Sequence, residues 1–258
     1  MGSEMCIRDS HGPGRTPVPA LELTPDEAAR VVTDGELDVV GRMRYSSNAT
    51  FLVDARLDGM VVPAVYKPRR GERPLWDFPP GTLCQREVAS YVLSDALGWD
   101  VVPLTVLRDG PLGIGAVQRF VDHDPDEHYF TLMPEHEERF RRFAWFDVIA
   151  NNTDRKGGHC LLDEASGTVY GIDHGLTFHP QWKLRTVIWE FAGEMLPDDA
   201  VADVERVLAA LDDDTVGRRL RELLGPEEVD ALAERAAALL EHGLPHPDDR
   251  YSMPWPLV

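Results

Sequence analysis

The spacing of apolar and polar residues divides the chain into a strand-rich first half and a helix-rich second half. After Leu21, TPDEAARVVTDG has apolar residues at helical spacing, a Thr24 cap and a stop at Gly35, which predicts a short helix. The stretch up to Lys67 alternates apolar and polar residues in runs separated by LDG, the pattern of a β-hairpin. The small residues at 46–50 predict a turn within this stretch.

One more helix and two more strands complete the first half. TLCQREVASYVLSDALGW has helical spacing between a Thr82 cap and Gly98, and VVPLTVLRDGPLGIGAVQRFVD predicts two strands around a DG turn. The acidic segment DHDPDEHYFTLMPEHEE has the composition of a linker. Beyond it we predict an aromatic helix in ERFRRFAWFDVIANN, a loop with two short strands, and helices from Asp198 to His242.

These elements predict an α+β fold with a β-rich N-lobe at residues 21–121 and a mostly helical C-lobe at residues 122–258. Residues 1–20 lack the apolar core of a signal peptide, so we expect a disordered or non-native leader there. No apolar run reaches the roughly 18 residues that a membrane span needs.

Composition narrows the classes of partner. The formal net charge of −19 disfavours non-specific binding to nucleic acid and stable association with anionic membranes, although basic residues gather at 67–73. The three cysteines have no CxxC spacing, which argues against a disulfide framework or a zinc site and predicts a cytoplasmic protein. Lysine occurs only at 67, 156 and 183, against 23 arginines, which suggests that these positions need a compact ammonium group.

The polar residues that stand out match the requirements of phosphoryl transfer. They are the turn at 46–50, Lys67 at a strand end, Glu87 in a helix, Asp154 in NNTDRKGGH and Asp173 in IDHG. The 19 positions from Asp154 to Asp173 accommodate a short hairpin that returns both carboxylates to one edge. A lysine, a metal-binding carboxylate and a backbone turn neutralise the anionic transition state, and a second carboxylate takes the proton of the acceptor hydroxyl.

In this order, VYKP, QREVASY, NNTDRKGGH and IDHG resemble motifs of the atypical kinases related to phosphatidylinositol 3-/4-kinases, HipA-type kinases and the Fam20 group. From about Leu21 onward the chain is similar to an actinobacterial family that resembles phosphatidylinositol kinases. The resemblance implies a two-lobed atypical protein or lipid kinase-like fold. It also implies transfer of the γ-phosphate of ATP, with Mg²⁺ or Mn²⁺, to a hydroxyl-bearing acceptor.

The resemblance also implies roles for single residues. Asp154 would be the catalytic aspartate and Asp173 the metal ligand, while Lys67 would contact the α- and β-phosphates and pair with Glu87. The turn would cover the phosphates, residues 118–121 would receive adenine, and Lys156 would contact phosphate or acceptor. The implied nucleotide-binding residues are Ser46, Ser47, Asn48, Thr50, Lys67, Gln118, Phe120 and Lys156.

The chain departs from its relatives at two motifs. His159 takes the position of the asparagine that serves them as second metal ligand, and His174 replaces the aromatic residue of their DFG motif. Because Mg²⁺ prefers oxygen ligands, an imidazole at 159 favours Mn²⁺ or a site with one metal.

Structural interpretations of the same residues stay open. Lys67 could be a solvated strand-end charge, NTDRKGG an ordinary turn, and Asp173 a turn cap. At the level of function, the alternatives are a nucleotide-binding regulatory module without transferase activity and a nucleotidyl transferase on the same fold.

Overall fold

The computed structural model describes residues 23–43, 46, 48–212, 215–248 and 252–258, and it confirms the α+β class. The leader predicted for residues 1–20 lies outside the described residues. No helix in the described part of the chain is both long enough and apolar enough to cross a bilayer.

The described residues divide into two compact units. The first comprises Leu104–Phe120 and the residues up to Cys84, and the second comprises Gln85–Pro103 and the residues from Val121 on. The sequence predicts one boundary after residue 121, whereas residues 85–103 group with the later part of the chain. Their side chains bond within the second unit, where Arg86 Nη1 donates to Thr177 O at 2.6 Å.

The first unit is built on a five-stranded antiparallel sheet in the order β1-β2-β3-β5-β4. Its strands are β1 (Glu36–Arg42), β2 (Phe51–Leu57), β3 (Met60–Pro68), β4 (Thr105–Gly110) and β5 (Gly113–Arg119).

Both predicted hairpins are present. Asp58 and Gly59 join β2 to β3 with φ values of 50° and 81°, the positive values that a tight two-residue hairpin requires. The chain turns from β4 to β5 at residues 111–112, two positions after the predicted DG turn, because Asp109 and Gly110 still pair with β5.

Helix α1 (Pro25–Asp34) closes the core of the first unit, where Val31 and Val32 are buried among residues of β2 and β3. Its predicted cap is confirmed: Thr24 Oγ1 accepts from Glu27 N at 3.3 Å, and the Glu27 carboxylate accepts from Thr24 N at 2.9 Å. These reciprocal bonds satisfy N–H groups that the first turn leaves without helical partners.

Helix α2 (Leu83–Leu97) begins at a cap that its local sequence does not reveal. The Glu72 carboxylate accepts from Leu83 N at 3.1 Å and from Cys84 N at 2.8 Å. A negative charge at this end is favoured because the helix dipole is positive there. The hydroxyl of Thr82, the predicted cap, donates to Pro79 O at 2.7 Å.

The second unit contains most of α2 and the remaining elements. These are α3 (Tyr129–Leu132), α4 (Glu137–Ala150), the hairpin of β6 (Cys160–Leu162) and β7 (Val169–Gly171), α5 (Asp198–Ala210), α6 (Val216–Leu223) and α7 (Pro226–His242). The elements predicted after residue 137 are therefore present. The predicted linker contains α3, because the fully buried Tyr129 packs edge-on against Phe140 at 4.8 Å between ring centroids.

Helix α4 is the most deeply buried helix segment of this unit, and every residue from 143 to 150 in it is buried. A helix that is buried on all sides is normally apolar throughout. Asp147 is the one charged residue in this run, so its carboxylate needs a partner inside the protein.

Candidate active site

The candidate catalytic loop starts where α4 ends, at Asn151. Asn151 adopts a left-handed conformation (φ 49°, ψ 55°), which asparagine tolerates better than most residues. Its Nδ2 donates to His179 O at 2.8 Å and to Gln181 O at 2.7 Å, and its Oδ1 accepts from Lys183 N at 2.9 Å. Asn151 therefore both reverses the chain and fixes residues 179–183 beside the loop.

The partner of the buried Asp147 carboxylate is Arg155, in this loop. Arg155 Nε lies 2.9 Å from Asp147 Oδ2 and Nη2 lies 2.9 Å from Oδ1, and both side chains are 0% exposed. Burial works to lower the pKa of Arg155, but the charge and hydrogen bonds of Asp147 outweigh it and the pKa is raised. Asn152 Nδ2 completes the cluster by donating to Asp147 Oδ1 at 2.9 Å.

Arg155 also contacts the segment that carries Asp173. Its Nη2 lies 2.6 Å from His174 Nε2, and its Nη1 lies 3.3 Å from His159 O and 3.4 Å from Ile172 O. A guanidinium only donates, so His174 Nε2 is the acceptor and a neutral ring carries its proton on Nδ1. One buried cation thus holds the loop of Asp154 and the loop of Asp173 together.

The guanidinium fits because residue 171 is glycine. A Cβ at Gly171 would lie 2.9 Å from Arg155 Nη1 and 3.0 Å from Phe143 Cε1, closer than ordinary contacts allow. The hairpin before Asp173 can therefore approach Arg155 only without a side chain at this position.

Asp154 is held from the backbone while its carboxylate is partly open to solvent. Its N–H donates to Asn152 Oδ1 at 3.0 Å. Its side chain is 28% exposed, and its Oδ2 lies 3.1 Å from Lys156 Nζ. The predicted catalytic aspartate and the predicted phosphate-contacting lysine therefore form an ion pair.

His159 and Asp173, the predicted metal ligands, face each other. His159 Nε2 lies 3.6 Å from Asp173 Oδ2, and His159 Nδ1 lies 2.9 Å from Asp154 O. A carbonyl oxygen only accepts, so Nδ1 carries a proton. Burial lowers the pKa of His159 despite the nearby carboxylates of Asp173 and Asp154, so the ring is neutral at pH 7 and Nε2 presents a lone pair.

This pair fits a divalent cation that is completed by substrate and water. A carbonyl-anchored imidazole opposite a carboxylate is a common arrangement of metal ligands. The described residues contain no group of three or more histidine, cysteine or acidic side chains placed to hold a metal. Mg²⁺ sites at nucleotides normally use one or two protein carboxylates, with phosphate and water oxygens as the other ligands.

Glu87 is buried, at 4% exposure, and lies against the loop of Asp173. Its Oε2 accepts from His174 N at 3.1 Å. Asp173 itself has a φ of 59°, a value that is uncommon for residues other than glycine. The contact with Glu87 helps to hold this backbone conformation.

The predicted phosphate turn lies between β1 and β2. Ser46 Oγ and Thr50 Oγ1 are 2.7 Å apart, and Asn48 Oδ1 accepts from Arg73 N at 2.9 Å. These bonds hold the turn against itself and against the chain that follows β3. Ser47 lies outside the described residues.

The remaining predicted nucleotide-binding residues are in the sheet of the first unit. Lys67 is half-buried near the end of β3, in register with Ala116 of β5. Gln118 is buried and its Nε2 donates to Thr105 Oγ1 at 2.9 Å, while Phe120 N donates to Pro63 O at 3.0 Å. Binding of adenine at 118–121 would therefore have to use other atoms of this segment.

Asp147 is absent from the residues predicted for the site, and His174 is predicted only to replace the aromatic residue of the DFG motif. The available signal for Asp147 was a lone carboxylate in the apolar run FAWFDVIA, because a buried charge implies a buried partner. No signal in the sequence indicates that Glu87 contacts the backbone of His174, a contact between residues 87 positions apart.

Comparison with known proteins reveals related chains. Residues 109–223 match the model of the phosphatidylinositol 3- and 4-kinase family. Over 273 aligned residues the chain is 41% identical to Protein Rv2133c of Mycobacterium tuberculosis, covering 92% of this chain and 97% of that protein. Among solved structures, the Helicobacter pylori proinflammatory kinase CtkA is similar with a TM-score of 0.49 and 11% identity, over 81% of this chain and 93% of that chain.

Proposed function

The chain belongs to the same actinobacterial family as Rv2133c and contains a segment related to the phosphatidylinositol 3- and 4-kinases, and from this premise we propose that it is an ATP-dependent phosphotransferase. The reaction moves the γ-phosphate of ATP to a hydroxyl group on an acceptor and uses Mg²⁺ or Mn²⁺. The observation that carries the proposal is a set of contacts around the buried Arg155, which follows Asp154 in the chain. The guanidinium of Arg155 contacts His159 O and the Asp173 loop at His174. His159 in turn contacts both Asp154 O and the Asp173 carboxylate.

Asp154 acts as the base in this proposal. A carboxylate within hydrogen-bond reach of the acceptor hydroxyl takes its proton as the bond to phosphorus forms. The partial exposure of Asp154 supports this role, since an acceptor can reach the side chain. Lys156, now paired with Asp154, contacts the transferred phosphate or an anionic part of the acceptor.

Asp173 and His159 hold the metal in this proposal. When bound, the divalent ion neutralises charge on the phosphates. The neutral imidazole of His159 supports Mn²⁺ at least as well as Mg²⁺, because nitrogen ligands suit manganese better. Glu87 and Arg155 orient the loop of Asp173 through His174.

The nucleotide is bound by residues of the first unit in this proposal. Lys67 contacts the α- and β-phosphates, and the turn of Ser46, Asn48 and Thr50 covers them. The same proposal includes an ion pair between Lys67 and Glu87. It also includes an N-lobe at residues 21–121, a C-lobe at residues 122–258 and a cytoplasmic location. Residues 118–121 receive adenine, and the bond of Gln118 to Thr105 holds this segment in place.

The decisive experiment follows the label of γ- or α-labelled ATP with Mg²⁺ or Mn²⁺. We expect label transfer or release from the γ-position, abolished by Asp154→Ala and by Asp173→Asn. The matched control is Asp199→Asn, which changes a 71% exposed carboxylate elsewhere in the second unit. Nucleotide binding without turnover in either metal would contradict the proposal and indicate a regulatory module.

Transfer of label from the α-position alone would instead identify a nucleotidyl transferase. The replacement of asparagine by His159 is the observation that keeps the regulatory module as the second candidate function. Turnover in Mn²⁺ but not in Mg²⁺ that changes to turnover in Mg²⁺ in His159→Asn would identify His159 as the residue that sets metal preference.

A binding measurement tests the role of Lys67 separately. ATP should raise the melting temperature of the wild-type protein, and Lys67→Ala should remove most of that increase. Lys183→Ala is the control, because it removes another of the three lysines. An equal ATP effect in both variants would contradict the assignment of Lys67.

A further inference from the structure

Residues 252–258, which we call the strap, lie against the candidate catalytic loop within the second unit. Leu257 O accepts from Gly157 N at 2.7 Å. At its other end, Ser252 O accepts from Thr186 N at 3.0 Å and from Trp189 Nε1 at 3.3 Å. Thr186 forms a parallel bridge with Arg155, so the strap spans the loop from the level of Arg155 to Gly157.

The two glycines of the loop receive the end of the strap. A Cβ at Gly157 would lie 3.2 Å from Val258 Cγ2 and 3.1 Å from the Phe130 ring, so residue 157 is enclosed between them. A Cβ at Gly158 would lie 3.6 Å from Val258 Cγ1, an ordinary contact. The glycine pair therefore allows the strap to reach the loop backbone.

Within the part of the chain that the structure describes, the strap has few attachments for its length. Its carbonyl groups make the bonds described above, and Pro254 is its one buried residue. Its large apolar side chains are substantially exposed, most of all Trp255 at 87%. Segments held by a few backbone hydrogen bonds and little buried apolar surface open at low cost.

The bond to Leu257 engages a backbone N–H next to Lys156, whose ammonium is on Asp154. When the strap lies on the loop, Leu257 O therefore uses the Gly157 N–H as its donor. This N–H is next to Lys156 and Asp154, the side chains proposed to contact the phosphate and the acceptor. We propose that the strap is a gate, and that the Gly157 N–H becomes available to the phosphate or acceptor at Asp154 only when residues 252–258 lift from it. This inference rests on the proposed phosphotransferase function.

A reversible cross-link tests the gate. Gly158 does not have a positive φ, so Gly158→Cys is compatible with its backbone, and its Cβ would face residue 258. The double variant Gly158→Cys/Val258→Cys can be oxidised to lock the strap and reduced to free it. Cys84 and Cys160 are buried, and Cys6→Ser removes the third thiol of the sequence.

Two measurements are made on the same protein in both redox states. They are hydrogen exchange of the Gly157 amide and loss of the γ-phosphate from labelled ATP, with water and the protein's own hydroxyl groups as the acceptors. We expect oxidation to slow exchange and to reduce transfer by about tenfold or more, because the open population falls. Reduction should restore both. The single variant Gly158→Cys should give the same values in both redox states.

Each outcome decides between the gate and its alternatives. Slower exchange with equal transfer would overturn the gate, since the strap would open without consequence for the acceptor. Higher transfer after oxidation would also overturn it, because the strap would then support the loop as a scaffold. Exchange that does not respond to oxidation would show that the strap does not control Gly157, whether or not the protein is a kinase.

Absence of transfer in every form, including the wild type, would refute the proposed function and with it the gate. Slower exchange in that case would still identify the seated contact. The exchange measurement thus separates failure of the contact from failure of the chemistry.

Discussion

Asp147 and Arg155 form the buried ion pair that holds the two loops of the candidate site together. Asp147 provides a fixed charge inside α4, and Arg155 carries the opposite charge into contact with both loops. Breaking a buried ion pair by removing one partner leaves an uncompensated buried charge, which is far more costly than losing a surface pair. The stability of the second unit and the geometry of Asp154 are therefore linked.

Asp147→Asn should destabilise the protein by about 3–5 kcal/mol, because Arg155 stays buried without its counter-charge. Urea denaturation followed by tryptophan fluorescence measures this change, and Trp145 lies in the same buried helix. The control Asp199→Asn, at an exposed pair 3.9 Å from Arg142, should cost less than about 1 kcal/mol. Equal effects of the two substitutions would contradict the central role of the buried pair.

His159 should make stability depend on pH below its ordinary pKa. Burial lowers the pKa of His159 in the folded protein, so as the pH falls below about 6.5 the unfolded chain binds a proton before the folded one does. The contribution of His159 to folding is therefore present above this range and is lost as the pH falls through the folded pKa.

Melting temperatures between about pH 7.5 and 5.5 measure this dependence. The wild type should lose stability more steeply than His159→Asn over this range. The control is His242→Asn, at a side chain that is 68% exposed, and it should follow the wild type. Parallel curves for all three proteins would contradict a lowered pKa of His159 in the folded protein.

How far the site could be predicted depends on the type of contact. Asp154, His159 and Asp173 stand out because their spacing and neighbours match a motif, and the structure brings them together. Glu87 also stands out in the sequence, but its bond to the backbone of His174, 87 positions away, has no local signal. Asp147 has only the indirect signal of a lone carboxylate in an apolar run. The roles of these residues in catalysis stay predictions.

The β6–β7 hairpin must lie close to α4 for Arg155 to reach His174. Gly171 provides that approach, since any Cβ there meets the guanidinium and the Phe143 ring. The surrounding residues are buried and cannot move away without disturbing the core.

Gly171→Ala should destabilise the protein by about 1–3 kcal/mol through overpacking, and it should lower turnover by displacing Arg155. Chemical denaturation and the label assay measure the two effects. The matched control is Gly41→Ala in β1, where a Cβ meets nothing within 4 Å. A stable, fully active Gly171→Ala protein would refute the packing argument.

The elements themselves could largely be predicted because their signals are local. The capping box of α1 and the DG hairpin between β2 and β3 each depend on residues that are close together in the sequence. The cap of α2 could not be predicted, because Glu72 reaches it from 11 residues upstream of Leu83. Helix α3 was not predicted because its segment has no periodic pattern of apolar residues. A single buried residue, Tyr129, holds it in place.

For the proposed phosphotransferase, the net charge of the chain disfavours anionic acceptors. The charge of −19 repels anionic surfaces, although screening limits this repulsion to about 8 Å at physiological ionic strength. A neutral or cationic acceptor is therefore favoured over one embedded in an anionic bilayer.

Sedimentation with lipid vesicles tests this expectation. At about 0.15 M salt the protein should bind anionic vesicles no better than neutral ones. Stronger binding to anionic vesicles that is lost in Arg69→Gln/Arg70→Gln would show that the basic residues at 67–73 outweigh the net charge. That outcome would favour a lipid acceptor.

The bond between Gly157 N and Leu257 O has a practical consequence for proteolysis. The peptide bond that follows Lys156 contains the Gly157 nitrogen, and a lysine-specific protease has only three lysine sites in the entire sequence. Proteases need an extended, accessible segment, so cleavage after Lys156 requires local opening. The rate at which this bond is cut, relative to the site at 183, would therefore report how often residues 252–258 leave the loop.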